Sequence, residues 1–212
     1  MKKQDLRIVF MGTPEFAKKS LEELVENKYN VVGVFCQPDR PAGRGMKLTK
    51  PPVKVLAEEN NIPVFQPEKI KNNEDVMETL KELNPNLIVV VAYGKILPET
   101  ILNFPKYGCI NVHGSLLPKY RGAAPIQWAL INGDTETGIT TMYMDKGMDT
   151  GDMIYKSELP IEKEDNYESL HDKMAVLGSV ILKKTLEKLV ELDGNLPREK
   201  QLGEYTIAPM ID

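Results

Sequence analysis

The chain has 212 residues, of which 42% are hydrophobic and 27% charged, a composition typical of a globular protein rather than a disordered or fibrous one. A chain of this length can bury about 70% of its unfolded surface, which is enough for a sizeable core. The net charge is −4, from 27 basic and 31 acidic residues. That balance argues against a protein that coats nucleic acid without specificity.

Cysteine usage and apolar run lengths limit the class of protein further. Two cysteines and two histidines are too few for a disulfide framework or a four-cysteine zinc site. Cys36 and Cys109 lie in apolar runs and are interpreted as core residues rather than nucleophiles. The first apolar stretch ends at Gly12, too early for a signal peptide, and the longest one, residues 87–93, is far below the ~20 residues that cross a bilayer. We therefore expect a cytoplasmic protein with no metal and no membrane role.

Short apolar runs alternate with longer amphipathic stretches, which is the pattern of strands and helices in turn. The runs 8–10 and 88–91 are continuously apolar, as in parallel strands covered by helices on both faces. The sequence therefore predicts an α/β fold, doubly wound around a mostly parallel sheet. The predicted strands are residues 7–11, 31–36, 63–65, 87–92, 109–113, 138–144 and 153–157. The predicted helices are residues 14–27, 51–60, 74–83, 98–103, 125–131 and 167–192.

The ends of the first and last helices carry local signals. Thr13 is the predicted cap of the first helix, and Pro14 suits its first position. Beyond residue 192 the apolar period stops, and residues 193–212 are interpreted as a tail or linker with a strand-like piece at 205–208. The last helix has a predicted core stripe formed by Leu170, Met174, Leu177, Ile181, Thr185 and Leu189.

Several common cofactor and nucleophile motifs are absent. The first strand–helix turn has only Gly12, and Pro14 and Glu15 would oppose a pyrophosphate, so no nicotinamide or flavin site is expected. Residues 94–96 lack the glycine spacing and the hydroxyl of a phosphate-binding loop. Ser115 is not followed by the glycine of a nucleophile elbow.

A polar pair stands at the end of the fifth predicted strand. Side chains two apart share one face of a strand, so Asn111 and His113 point the same way just before the strand breaks at Gly114. Open α/β sheets bind ligands beyond the carboxyl ends of their strands. An amide and an imidazole there can hold an oxyanion and move a proton. The alternative is that both side chains only satisfy backbone groups at the strand end.

The loop after the sixth predicted strand contains Asp145, Asp149 and Asp152. Their spacing does not match a calcium-binding loop. A carboxylate that reaches an imidazole holds its tautomer and stabilises its protonated form. The alternative is a solvated turn in which the aspartates cap backbone groups.

Residues 37–52 are rich in proline and glycine and are predicted to form a long exposed loop rather than a helix or strand. Its basic charge suits contacts with phosphates, while a loop that only aids solubility is the alternative. The charged residues from position 36 to 54 are Asp39, Arg40, Arg44, Lys47, Lys50 and Lys54, a net +4 on an otherwise acidic chain.

Five segments carry a resemblance to a known family. They are residues 12–16, 37–45, 90–94, 111–118 with 120–127, and 145–152. In this order and register they resemble the folate-dependent formyltransferases, and the match covers essentially the whole chain. The resemblance implies a Rossmann-like catalytic domain with 10-formyltetrahydrofolate as co-substrate and no metal. The matching catalytic residues are Asn111 and His113, which would hold the oxyanion, with Asp149 assisting proton transfer, and the folate-contacting turn matches Ser115, Leu116, Leu117 and Pro118.

The resemblance also bears on the acceptor. The arginine-rich loop and residues 123–127 favour members that formylate methionyl initiator tRNA, with Arg40, Arg44 and Lys47 as candidate tRNA-binding residues. Members that act on amino sugar nucleotides are the enzymatic alternative, and a folate- or nucleotide-binding regulatory domain is the non-enzymatic one. The expected division is a catalytic domain over 1–192 and a linker over 193–212 that leads to an absent C-terminal tRNA-binding domain. A monomer is expected.

Overall fold

The computed structural model describes all 212 residues. The chain divides into two compact units, residues 2–109 and residues 110–212, with Met1 joining the second.

The unit 2–109 contains a four-stranded parallel part of the main sheet. Its strand order is β5-β2-β1-β6, and the pairs β1–β2, β1–β6 and β2–β5 are all parallel. Two further strands, β3 and β4, form an antiparallel hairpin. The strands are β1 (Arg7–Gly12), β2 (Asn30–Phe35), β3 (Arg40–Ala42), β4 (Lys47–Thr49), β5 (Val64–Phe65) and β6 (Leu87–Val91). The helices are a short 3-10 turn (Lys3–Asp5), α1 (Glu15–Glu26), α2 (Pro52–Glu59), α3 (Glu74–Leu83) and α4 (Glu99–Leu102).

The unit 110–212 contains three antiparallel strands and two helices. Strand β7 (Cys109–His113) pairs with β8 (Glu136–Tyr143), which pairs with β9 (Met153–Pro160). Helix α5 (Pro125–Ile131) precedes β8, and helix α6 (Tyr167–Glu191) packs on β8 and β9.

The strand order is β5-β2-β1-β6 in the unit 2–109 and β7-β8-β9 in the unit 110–212. Every residue of β6 is buried, as its continuous apolar run predicts for a strand covered on both faces. The mostly parallel α/β architecture confirms the predicted fold class. Helix α6 buries the predicted stripe with one exception, since Leu177 is only half-buried.

The prediction that Thr13 caps the first helix is wrong. Pro14 occupies the cap position of α1, and no side chain caps the helix. The Thr13 hydroxyl instead donates to the carbonyl oxygen of Tyr93 over 3.0 Å and accepts from the backbone N–H of Gln37. Thr13 therefore joins the ends of neighbouring strands rather than starting the helix.

The prediction of a loop over residues 37–52 needs a correction, because this segment contains the β3–β4 hairpin. Pro41 lies opposite Leu48 in a two-stranded ladder, where a missing N–H is tolerated as on an edge strand. Gly43 and Gly45 adopt the left-handed conformation, with φ of 70° and 79°, and turn the chain between the strands. Proline and glycine therefore shape this hairpin instead of preventing it.

A carboxylate holds the start of helix α6. Asp165 accepts from Lys173 Nζ at 2.9 and 3.1 Å, from the Ser169 hydroxyl at 2.8 Å and from the Glu162 N–H at 2.8 Å. These bonds, first of all the one from Lys173, lower the pKa of Asp165 to about 2. The folded-state pKa is thus below the unfolded value of about 3.9. The stabilisation is therefore complete above about pH 4 and is lost as the pH falls towards 2.

We predict that Asp165→Asn lowers the midpoint of thermal unfolding at pH 7, and that its difference from the wild type shrinks as the pH falls from about 4 to 2. The exposed Glu164→Gln provides a control that removes one charge next to this cluster. Equal midpoints for Asp165→Asn and the wild type at pH 7 would contradict the prediction.

Candidate active site

Strand β7 presents Asn111 and His113 on one face, since they are two residues apart. Asn111 is half-buried, and His113 is only 6% exposed. In the ladder with β8, Asn111 lies opposite Met142 and His113 opposite Thr140. The strand ends directly after His113, so both side chains stand at its carboxyl end.

The His113 ring is held by a hydrogen bond at one nitrogen and faces a carboxylate with the other. Nε2 lies 2.8 Å from the carbonyl oxygen of Tyr120. A carbonyl only accepts hydrogen bonds, so Nε2 carries a proton and donates it. Nδ1 faces Asp149 Oδ2 at 3.7 Å, an electrostatic contact longer than a hydrogen bond. Nδ1 is therefore the position at which the ring can take up a second proton.

Asp149 is held in place by the backbone of the neighbouring loop. The Gly122 N–H donates to Asp149 Oδ2 over 2.8 Å, a charge-assisted bond that fixes the oxygen facing His113. Asp149 itself has a φ of 55°, in the left-handed region. Such a conformation is sparsely populated for residues other than glycine and persists where the surroundings impose it.

The other two aspartates of this loop have local roles. Asp145 accepts from the Gly147 N–H and from the Thr150 hydroxyl, which caps the turn. Asp152 accepts from Arg198 Nε over 2.8 Å. Both interpretations of this loop therefore apply to different residues. Asp149 faces the imidazole, whereas Asp145 caps a turn.

The turn at residues 115–118 is tied to β8 by one hydroxyl. Thr140 Oγ1 donates to the Ser115 carbonyl over 2.7 Å and accepts from the Leu117 N–H over 3.1 Å. Ser115 and Leu117 are fully buried, whereas Leu116 and Pro118 are half-buried. Leu116 and Pro118 are therefore partly open to solvent, whereas Ser115 and Leu117 belong to the core.

Tyr120, whose carbonyl holds His113, is anchored by its own phenol. The hydroxyl donates to Asp134 Oδ2 over 2.7 Å and accepts from Asn132 Nδ2 over 2.8 Å. Burial raises the pKa of the Tyr120 phenol above its usual range. Lys119 Nζ also donates to Asp134 Oδ2, and this hydrogen bond raises the pKa of the Lys119 ammonium.

The candidate tRNA-binding residues lie on the hairpin of the other unit. Arg40 is in β3, Arg44 in the turn and Lys47 in β4; all three are exposed and none of them forms an ion pair. Asp39, next to this hairpin, accepts from Gln66 and Lys54, whose bonds hold the pKa of its carboxyl below the usual range. Hydrogen bonds of Asp39 therefore hold the start of the hairpin in place, while its basic side chains are exposed and form no ion pairs.

One family model, described as "Formyl transferase", matches residues 6–186. The chain belongs to the formyl transferase family. The chain is 60% identical over 207 residues to a methionyl-tRNA formyltransferase from Caldanaerobacter subterraneus subsp. tengcongensis, a match that covers 97% of this chain and 66% of the relative. The chain spans just under two thirds of the length of the curated relatives it matches.

Solved structures show the same fold as this chain. A phosphoribosylglycinamide formyltransferase from Anaplasma phagocytophilum superimposes with a TM-score of 0.75 at 21% identity, covering 97% of this chain and 99% of that one. An N-formyltransferase from Helicobacter canadensis, in complex with folinic acid and dTDP-3-aminofucose, gives a TM-score of 0.69 at 20% identity and covers 96% of this chain and 71% of that one.

The chain has two free cysteines, and both are core residues as predicted. Burial raises the pKa of Cys36 and of Cys109 to about 12, so neither thiol is a nucleophile at neutral pH. No helix is long and apolar enough to cross a membrane.

Sequence reasoning named side chains for the candidate site but not the groups that hold them. The structure places the Asp149 carboxylate opposite His113, and His113 shares one face of β7 with Asn111. The missed groups are the Tyr120 carbonyl and the Gly122 N–H. Both are main-chain atoms, and the only sequence signal for them is the glycine itself.

Proposed function

We propose that the protein transfers the formyl group of 10-formyltetrahydrofolate to the α-amino group of methionyl initiator tRNA, giving N-formylmethionyl-tRNA for translation initiation in the cytoplasm. The observation that carries this proposal is the buried His113 held between the Tyr120 carbonyl and Asp149 on the strand that carries Asn111. The 60% identity to a methionyl-tRNA formyltransferase supports the choice of acceptor.

In the proposed reaction the amine nitrogen of methionine attacks the formyl carbon. A carbon–nitrogen bond forms, the bond from that carbon to N10 of the folate breaks, and one proton moves from the amine to N10. The carbonyl oxygen becomes an oxyanion in the tetrahedral intermediate. We assign Asn111 as the amide that donates a hydrogen bond to this oxyanion, because it lies beside His113 at the carboxyl end of β7.

We assign the proton transfer to His113 with Asp149. Nε2 is committed to the Tyr120 carbonyl, so Nδ1 takes the proton from the attacking amine and passes it on. The Asp149 carboxylate faces Nδ1 and balances the positive charge of the ring while it holds two protons. The imidazolium then assists Asn111 in stabilising the oxyanion.

We propose that the turn at residues 115–118 contacts the folate through its accessible members, Leu116 and Pro118. Ser115 and Leu117 support the turn from the core, through the bonds of their backbones to Thr140. The folinic acid in the complex of the Helicobacter canadensis enzyme supports a folate derivative as the co-substrate.

We propose that the basic hairpin binds tRNA through Arg40, Arg44 and Lys47. Three exposed cations without acidic partners suit phosphate oxygens, since no ion pair has to break on binding. In this proposal residues 1–192 supply the groups that react, residues 193–212 follow them and pack against the loops of the site, and the chain acts as a monomer.

We predict that Arg44→Ala lowers kcat/KM for methionyl initiator tRNA about 10-fold and reduces the salt dependence of tRNA binding by about one phosphate contact, with the KM for 10-formyltetrahydrofolate unchanged. Initial rates at several salt concentrations measure both effects. Lys163→Ala, which removes an exposed cation outside the hairpin, serves as the control.

Equal kinetics and equal salt slopes for Arg44→Ala and Lys163→Ala would contradict the role of the hairpin. Formyl transfer to an amino sugar nucleotide but not to methionyl-tRNA, with both acceptors tested at equal concentration, would overturn the proposed acceptor while leaving the chemistry in place.

A further inference from the structure

The segment 199–209 is built into the unit that carries the site. Glu199 and Met153 exchange backbone hydrogen bonds of 2.7 and 2.8 Å. Thr206 accepts from the Tyr120 N–H through its hydroxyl and from the Arg121 N–H through its carbonyl, each over 2.8 Å. Ala208 is fully buried. These contacts hold the segment against Tyr120 and Arg121 and against Met153, the residue that follows the loop carrying Asp149.

One side chain of this segment joins the two site loops. Gln201 Nε2 donates to the carbonyl oxygens of Asp149 and Gly151, each over 2.8 Å. Gln201 Oε1 accepts from Arg121 Nε over 3.0 Å. The amide thus links the loop that carries Asp149 to the loop that carries Gly122.

The orientation of this amide is determined by its partners. Carbonyl oxygens only accept and the arginine Nε–H only donates, so a flipped amide would face two acceptors with an oxygen and a donor with an NH₂ group. Both amide hydrogens and the amide oxygen of Gln201 are therefore used, and no other residue type of this length offers two donors and an acceptor on one planar group.

We propose that Gln201 is a positioning residue for the transfer reaction, which holds the backbone of Asp149 and the side chain of Arg121 so that Asp149 Oδ2 stays on the Gly122 N–H and faces His113 Nδ1. The inference rests on the proposed function, in which Asp149 balances the charge of His113. It assigns part of the active-site geometry to the segment 199–209.

The physical reason is the conformation of Asp149. Its φ of 55° is intrinsically unfavourable, and the bonds that oppose relaxation are those from Gly122 to its side chain and from Gln201 to its carbonyl. Without Gln201 the loop can relax and the carboxylate can withdraw from Nδ1. A displacement of about 1 Å in a catalytic group costs up to about 100-fold in rate.

The test measures formyl transfer in the full chain for Gln201→Ala, Gln201→Glu and Leu202→Ala. Gln201→Glu keeps the shape and the acceptor for Arg121 but removes both donors to the carbonyls. Leu202→Ala is the matched control, because Leu202 is the next residue and is 78% exposed. The same Gln201→Ala change is also made in an Asp149→Asn background, as a double-mutant cycle.

We expect both Gln201 variants to lower kcat about 10- to 100-fold with little change in the KM for folate, and Leu202→Ala to match the wild type. In the Asp149→Asn background the effect of Gln201→Ala should nearly vanish, because the group that Gln201 positions is already gone. An equal loss in both backgrounds, or no loss in the wild type, would overturn the positioning role. Wild-type turnover by Asp149→Asn would instead overturn the proposed function of Asp149, and with it the role of Gln201.

A second readout does not depend on turnover. The ring-nitrogen NMR signals of His113 at one fixed pH, with those of His171 as an internal reference, report the position of the Asp149 carboxylate. We expect Gln201→Ala to move the His113 signals in the same direction as Asp149→Asn, and Leu202→Ala to leave them in place. His113 signals in Gln201→Ala that superimpose on those of the wild type would overturn the inference.

Discussion

Asn111→Ala is expected to lower kcat for formyl transfer by about 10²–10³, because in the proposed reaction the Asn111 amide beside His113 donates a hydrogen bond to the oxyanion. The loss should appear in kcat rather than in the KM for either substrate, since the negative charge on the oxygen develops only on the way to the tetrahedral intermediate. Single-turnover transfer of labelled formyl measures the chemical step directly.

Two further variants show whether the loss comes from the missing hydrogen-bond donor. Asn111→Asp keeps the shape of the side chain but replaces the donor with a negative charge, so its loss should be at least as large. Asn195→Ala, which truncates an exposed asparagine, should match the wild type. An Asn111→Ala enzyme with near-normal turnover would show that the oxyanion is held by other groups.

Gly122→Ala is expected to impair both stability and turnover. A Cβ at Gly122 would lie 2.7 Å from the Ala208 carbonyl oxygen, and the residue has a φ of +123°, a conformation that side chains rarely adopt. Backbone strain of this kind costs about 1–3 kcal/mol. The N–H of Gly122 also fixes Asp149 Oδ2, so the shift that relieves the clash should lower kcat about 10- to 100-fold. Thermal unfolding and formyl transfer measure the two effects.

Gly133→Ala separates strain from the loss of the site contact. Gly133 also has a positive φ, 68°, but a Cβ there meets nothing within 4 Å. It should therefore lower stability without lowering turnover. The same turnover for Gly122→Ala and Gly133→Ala would contradict the role of Gly122 in positioning Asp149.

The strands and helices were largely predictable because local patterns determine them. Strand β7 and helices α3 and α5 have the predicted bounds, since each apolar run ends at an evident break. That Asn111 and His113 share one face follows from the two-residue period of a strand, and the break at Gly114 indicates the carboxyl end of that strand.

The remaining features depend on contacts between residues far apart in sequence or on main-chain atoms. Gln201 contacts the Asp149 carbonyl across 52 positions, a distance over which periodicity carries no information. The Tyr120 carbonyl is a backbone atom that any residue would supply. The prediction that Thr13 caps the first helix was wrong for a similar reason. Its hydroxyl donates to the carbonyl of Tyr93, which lies 80 positions away, just after β6.

The most direct test is transfer of labelled formyl from 10-formyltetrahydrofolate to methionyl initiator tRNA, with His113→Ala as the paired control and folate binding of both proteins verified by titration. We expect transfer by the wild-type chain, a loss of about 10²-fold or more in His113→Ala, and folate binding by both. Equal transfer by the two proteins, or no transfer by a wild-type chain that binds folate, would contradict the proposed reaction at this site.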